Sequence, residues 1–198
     1  MERDQLTELH FITLIENLPS ILERGILSHA LAEEIEHTSV AADEIQDIRA
    51  GKTVPAGRPL HEHANLYFHA RNPMMTKRQE RHAELCVVRV SVEVLDLPDV
   101  VISSQNASSK YAAFRPSPEG LAIVIHEQVF ARDWRDPDQI AYWRKKSIKC
   151  AEVLVPDRVP PEYITGVYCS GEAGRDAVQA ICDLAVTIDP DLFFQEDD

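Results

Sequence analysis

Residues 144–156 read RKKSIKCAEVLVP. Four cations lead into an apolar run, and that run contains a single acid, Glu152. Val153, Leu154 and Val155 favour a buried strand, and Pro156 ends it. The stretch therefore predicts a helix that passes directly into a core strand. A lone carboxylate beside such a strand is costly to bury unless something pairs with it, which raises the question of what Glu152 holds.

Moving outward, DPDQIAYWRKKSIK (136–149) predicts the helix itself. ITGVYCS (164–170) predicts a strand and EAGRDAVQAICDLA (172–185) a helix, and TIDPDLFF (187–194) fits a last edge strand. Toward the N-terminus, LHFIT (9–13) reads as a strand. It is followed by a helix in ENLPSILERGIL (16–27), with Pro19 in the first turn and Gly25 closing it. The segment 30–51 is helical in parts, and KTVPAGRPLHEHA (52–64) is a loop. NLYFHA (65–70) is a strand, NPMMTKRQERH (72–82) a short helix started by Asn72-Pro73, and ELCVVRVSVEVL (84–95) a long strand. VVISSQNASSKYAAFRPSPEGL (100–121) begins as a strand and becomes a long polar loop of the kind that often recognises a substrate. Strands and helices do not alternate regularly, which argues against a doubly wound parallel sheet. The expected fold is α+β with a mixed, mainly antiparallel sheet, in one domain over residues 1–198.

The totals agree. A chain of 198 residues, 44% hydrophobic, can bury a sizeable core. No apolar run is long enough to span a bilayer. The acidic MERDQLTELHF start lacks the layout of a signal peptide. Cys86, Cys150, Cys169 and Cys182 are scattered without a CxxC pair, as in a cytoplasmic protein with free thiols. A net charge of −13 argues against a general nucleic-acid coat protein. The acids gather at EEIEH (33–37), ADEIQD (42–47) and the QEDD tail (195–198). The cations gather at KRQERH (77–82) and RKKSIK (144–149). Each basic cluster is either a solvated helix face or a local groove for a phosphate backbone.

Three polar sites stand out. In HFITLIEN (10–17), His10, Thr13 and Asn17 sit where the first strand ends, and Thr13 or Glu16 could simply cap the helix. Arg49, before Gly51, either favours the helix dipole or clamps a phosphate. In LHEHANLYFHARNPMM (60–75), His61, His63 and His69 invite a zinc reading, but no cysteine pair or HExxH accompanies them. Tyr67 and Phe68 read as core or as a pocket wall. GxSxG, GxGxxG and Walker loops are absent.

In order along the chain, FITLIENLPSILERGILS, IQDIRAGKTVP, LHEHANLYFHARNPMM and KKSIKCAEVLVP resemble segments of the DarT family, toxins that ADP-ribosylate bases in DNA. The resemblance implies an ADP-ribosyltransferase-like split sheet, NAD as co-substrate and no metal. It implies Glu152 and Arg49 as catalytic residues, and His10, Phe11, Thr13, Asn17, Arg49 and Tyr67 as NAD-binding residues. It places the loop for the substrate base at SSQNASSKYAAF (103–114), with Asn106, Lys110 and Tyr111. Because a duplex hides the reacting atom, single-stranded DNA is the expected substrate, thymine ahead of guanine. Its backbone would run along Arg144, Lys145, Lys146 and Lys149, or else along Arg71, Lys77, Arg78 and Arg81. A macrodomain antitoxin of the DarG type is the implied partner. Transfer to RNA or protein, or a binding module without turnover, are the rival readings. There is one departure. Many members carry a histidine directly before the Ile-Thr of the opening segment, where this chain has Phe11, and His10 lies one residue earlier. In a strand a shift of one changes the face, so either the strand bulges or Phe11 packs on the ligand.

Overall fold

Eight strands lie in one sheet, in the order β10-β9-β4-β1-β3-β7-β5-β6. They are β1 (Glu8–Leu14), β3 (His63–Tyr67), β4 (Leu85–Ser91), β5 (Val101–Ser103), β6 (Phe114–Pro116), β7 (Glu152–Pro156), β9 (Ile164–Cys169) and β10 (Val186–Ile188). Two short strands, β2 (Ile26–Leu27) and β8 (Arg158–Val159), pair beside it. The computed structural model of the chain describes residues 1–40, 43–55 and 57–195, with the backbone alone at 43–45. The acidic tail 196–198, residues 41–42 of the predicted helical stretch and residue 56 of the predicted loop lie outside the described residues. All pairings in the sheet are antiparallel except β9 with β10. The fold is thus α+β, as the irregular order of elements predicts.

Seven helices pack around the sheet among the described residues: α1 (Leu18–Arg24), α2 (His29–Ala32), α3 (Asp43–Ala50), α4 (Pro73–Thr76), α5 (His126–Val129), α6 (Gln139–Ile148) and α7 (Glu172–Gln179). Their starts follow local chemistry. Asn72 accepts from the Met74 and Met75 amides to open α4, and Asp138 accepts from the Ala141 amide to open α6. Gly25 ends α1 with φ +88°, and a Cβ there would meet the Val159 carbonyl oxygen at 2.1 Å. Only glycine fits that junction between α1 and β2.

Three expected strands differ. The run predicted to stay extended through Leu95 stops at Ser91, whose hydroxyl accepts from the Glu93 amide and turns Val92–Asp96 into a 3-10 helix. NLYFHA pairs only through Tyr67, and the strand starts earlier, at His63. At the C-terminus Val186–Ile188 forms the edge strand, but Asp189 caps a 3-10 turn over Pro190–Phe193.

Both faces of the sheet are covered. Leu9, Leu66, Val88, Val90, Val153 and Val155 belong to the larger core, while Ile12, Leu14, Val87 and Tyr67 join Met75 and Phe193 in a second one. At the start of β1, Glu8 is held by Arg89 (2.7 Å), Tyr168 (2.7 Å) and His10 (3.1 Å). Burial pushes the Glu8 carboxyl up, but these hydrogen bonds outweigh it and hold the group at about 2. The folded chain then keeps Glu8 ionised where the unfolded chain has already bound a proton. Stability from this site is complete above about pH 4.5 and is lost as pH falls toward 2. Allowing for solvent screening at this part-buried site, Glu8→Gln should remove roughly 2–3 kcal/mol of that acid dependence, read as a flatter plot of urea midpoint against pH. Parallel plots for the two proteins would refute it.

Candidate active site

The sheet comes apart where β1 meets β3. The two strands pair at one point, His10 opposite Tyr67. Continued in that register, Ile12 would face Asn65 and Thr13 would face Ala64, but these pairings are absent among the described residues. A cavity of about 450 Å³ opens in the split, and Phe11, Ile12 and Thr13 from β1 and Asn65 and Tyr67 from β3 line it.

Glu152 stands beside this split. It is the first residue of β7, opposite Tyr67 on one side and Ser103 on the other. It lines the cavity although only 1% of it is exposed. Its partner is Arg49, 6% exposed, from the last turn of α3. Arg49 Nη1 lies 3.0 Å from Oε2 and 3.3 Å from Oε1. The Ala107 amide donates to Oε1 at 2.9 Å. The arginine sits at a helix end, but its guanidinium turns inward to the carboxylate and is not a free surface cation. A buried ion pair is seldom the cheapest way to stabilise a core, which makes this one a candidate for chemistry.

The amide of Ala107 ties the long polar loop to the same carboxylate. Ala107 is fully buried against Val54, Leu60, Val101 and Leu154. The Asn106 amide donates to the Ser147 carbonyl at 2.9 Å, and the Asn106 side chain accepts from Ser108. Lys52 donates to the Ser108 carbonyl. The loop base is therefore fixed while its tip, with Lys110 and a Tyr111 that is 88% exposed, projects into solvent. Asn106, Ser108 and Ser109 line the cavity.

The other expected contacts divide. Thr13, Asn17, Phe11 and Tyr67 all line the cavity. Asn17 stands at the N-cap of α1 but its side chain makes no capping bond; its Nδ2 donates to Thr13 Oγ1 (3.1 Å) and to the Thr38 carbonyl (2.9 Å). Tyr67 is buried and donates to Met74 Sδ, while Phe68 is core. His10 is a correction. It lies outside the group lining this cavity and borders a smaller one with Glu8, His69 and Tyr168. Its Nδ1 accepts from the Ala70 amide (2.9 Å), which leaves the proton on Nε2 to be donated to Glu8. With β1 paired continuously to β4, no bulge returns it to the cavity, and Phe11 is the residue presented there.

The basic helix needs a second correction. Lys149 is 1% exposed, and its Nζ donates to the Val129 carbonyl at 2.7 Å. Burial, then nearby Arg71, brings its ammonium down to about 8. It cannot track a DNA backbone. Lys145 pairs with Asp136 at 2.7 Å and Arg144 is exposed. Lys146 lines the cavity, as do Lys77 and Arg78 on the α4 side. Arg71 instead reaches the Asp191 carbonyl and stacks on Phe194, and Arg81 pairs with Glu84.

The histidines of 60–75 part company. The His61 ring lies tilted against that of His29 with centroids 4.2 Å apart, the His63 ring meets the Pro59 carbonyl, and His69 lies against Phe130. Burial and the neighbouring Lys149 take His69 down to about 3. No group of metal-ligating side chains forms among the described residues. Several cavity residues carry no sequence signal: Gln46, whose Oε1 is buried without a partner, Ser147, whose Oγ is likewise unpartnered, and Trp143. The three-residue spacing from Lys146 back to Trp143, one helical turn, could have found the last.

The family model described as DarT, ssDNA thymidine ADP-ribosyltransferase, matches residues 10–194, and the chain belongs to this family. It is 35% identical over 197 residues to a DNA ADP-ribosyl transferase–DNA ADP-ribosyl glycohydrolase fusion protein of Thermosipho africanus, covering 94% of this chain. The chain spans 49% of that relative's length. It is 26% identical to a DNA ADP-ribosyl transferase of Mycobacterium tuberculosis, over 88% of this chain and 80% of the relative. Among solved structures, Thermosipho africanus DarTG in complex with ADP-ribose superposes with a TM-score of 0.82 at 32% identity, over 96% of this chain and 52% of that one. Thermus sp. 2.9 DarT in complex with ADP-ribosylated ssDNA shares the fold, with a TM-score of 0.78 at 24% identity over 96% and 97% of the two chains. No described helix is long and apolar enough to cross a membrane.

Proposed function

We propose that this chain is a single NAD-dependent mono-ADP-ribosyltransferase domain that modifies thymine in single-stranded DNA, acts as a toxin in the cytoplasm and is opposed by a macrodomain antitoxin. The observation that carries the reading is the Glu152–Arg49 pair beside the cleft of a split sheet, tied to the recognition loop through Ala107. The fusion of a transferase to a glycohydrolase in the Thermosipho relative supports the antitoxin.

The cavity suits a ligand with both flat apolar and polar parts. Phe11, Ile21 and Tyr67 offer apolar surface, and Gln46 Oε1 and Ser147 Oγ offer unpaired polar atoms. NAD supplies the ADP-ribosyl group and a nicotinamide that leaves with the bonding electrons. Glu152 accepts a hydrogen bond from a ribose hydroxyl and stabilises the positive charge that builds on the ribose. Its strand and its two partners fix it in place, so little reorganisation is needed. Arg49 positions the carboxylate and assists loss of the base proton by stabilising the negative charge on the base, so that the base nitrogen bonds to the ribose carbon as its proton passes to solvent water. Thr13 and Asn17 hold the ribose and nicotinamide end. Charge stabilisation is assigned to Glu152, so the reaction as drawn uses no metal.

Incubation with NAD and short single-stranded DNA, RNA and protein, followed by mass spectrometry, tests this. One ADP-ribosyl group on thymine-containing DNA is expected. Label on RNA or protein would redirect the enzyme, and NAD binding without nicotinamide release would make the chain a binding module.

Lys146 is the α6 cation on the cavity wall, and no described carboxylate pairs with it. Lys146→Gln should weaken all oligonucleotide sequences alike and make the logarithmic salt dependence shallower by roughly 0.7. Lys149→Gln should leave that slope alone. Affinity against salt measures both, and an unchanged Lys146→Gln slope would move the backbone path to Lys77 and Arg78.

A further inference from the structure

Helix α6 presents an unusual stripe. Trp143, Lys146, Ser147 and Cys150 all line the cavity. Their spacing of three, four and seven residues puts them on one helical face. Such a stripe normally packs against a core. Here its outer end faces open space: Trp143 is 61% exposed and no ring of the described residues stacks on it. The stripe grades from an aromatic through a cation and an unpaired hydroxyl to buried Cys150, two residues before Glu152.

We infer that Trp143 is a stacking platform for a base next to the one modified, so that the strand enters along this face of α6. The inference rests on the DNA reading above. A single strand offers flat apolar bases alternating with phosphates, and Trp143 and Lys146, one turn apart, match one of each. Arg144, exposed beside them, adds positive charge on a molecule whose net charge is −13. The Asn106 amide bonds the Ser147 carbonyl, so the recognition loop and this stripe form one continuous wall. Every base has a π-face, so this platform adds affinity and fixes the entry direction without reading sequence.

Tryptophan fluorescence gives a readout independent of catalysis. The chain has two tryptophans, and the other, Trp134, sits edge-on to Phe194. In a Trp134→Phe protein, emission from Trp143 should be quenched by a short single-stranded thymine-containing oligonucleotide. In the otherwise native chain, Trp143→Ala should weaken oligonucleotide binding by about 5- to 150-fold, the loss of one base stack. Trp143→Phe should restore most of it. An oligonucleotide with an abasic nucleotide at one position beside the target should bind the parent as weakly as Trp143→Ala binds the intact strand, with no further loss when the two changes are combined. Unquenched emission, equal affinities, or a loss that persists at every abasic position would overturn the inference and leave the patch to a protein partner. If the parent labels only RNA or protein, the DNA reading fails and this inference falls with it. If it labels DNA while Trp143 stays unquenched, only the platform is lost.

Discussion

Glu152→Gln is expected to lose ADP-ribosyl transfer by on the order of 100- to 1000-fold while the chain stays folded. Glutamine keeps the size of the side chain, and its amide oxygen can still accept from the Ala107 amide. What disappears is the charge that the reaction draws on as the ribose becomes cationic. The same substitution leaves the buried Arg49 guanidinium facing a neutral partner, and breaking a pair of this kind typically costs about 3–5 kcal/mol. A lower melting temperature with an unchanged circular-dichroism spectrum should therefore accompany the loss of rate. Single-turnover transfer to an oligonucleotide separates chemistry from binding. Near-normal modification by the variant would sink the assignment of Glu152.

Arg49→Lys is expected to be impaired by about 100-fold or more, and the geometry gives the reason. Both contacts to Glu152 come from Nη1, while the side chain also lines the cavity. A guanidinium can hold the carboxylate with one nitrogen and offer the others to a substrate. An ammonium has one nitrogen and a shorter reach, so it can keep the charge but not both tasks. Transfer assays on Arg49→Lys and Arg49→Ala should give similar deficits. If Arg49→Lys turned over like the parent, the residue would be reassigned to holding Glu152 alone.

Much of the site was legible because some of its signals are local. Glu152 stood out as an acid in a run of β-formers, and Arg49 as a cation beside a glycine-closed helix. The loop at 103–114 stood out through its length and polarity. The place of Lys149 is not legible in the sequence, because charge runs report composition and not the direction of a side chain. Lys149 follows the last turn of α6 and points inward, where the Val129 carbonyl accepts a hydrogen bond from it. The face taken by His10 is not legible either, because strand parity depends on whether β1 bulges, and only its continuous pairing with β4 settles that.

Taken alone, the sequence determined the helix start at Asn72, the turn at Gly25, the helix before Cys150 and the core strand carrying Val153, Leu154 and Val155, since each depends on neighbours a few residues away. It also determined the α+β class, through the order of those elements. The tertiary structure alone decided that β1 and β3 part after one pairing, and that the cavity opens there. It alone joined Glu152 to Arg49 across 103 residues and to Ala107 across 45. Hydrophobic periodicity records which face of an element is buried, but not which element buries it. The partner of a buried charge is chosen by packing between distant segments, and no local pattern encodes that choice.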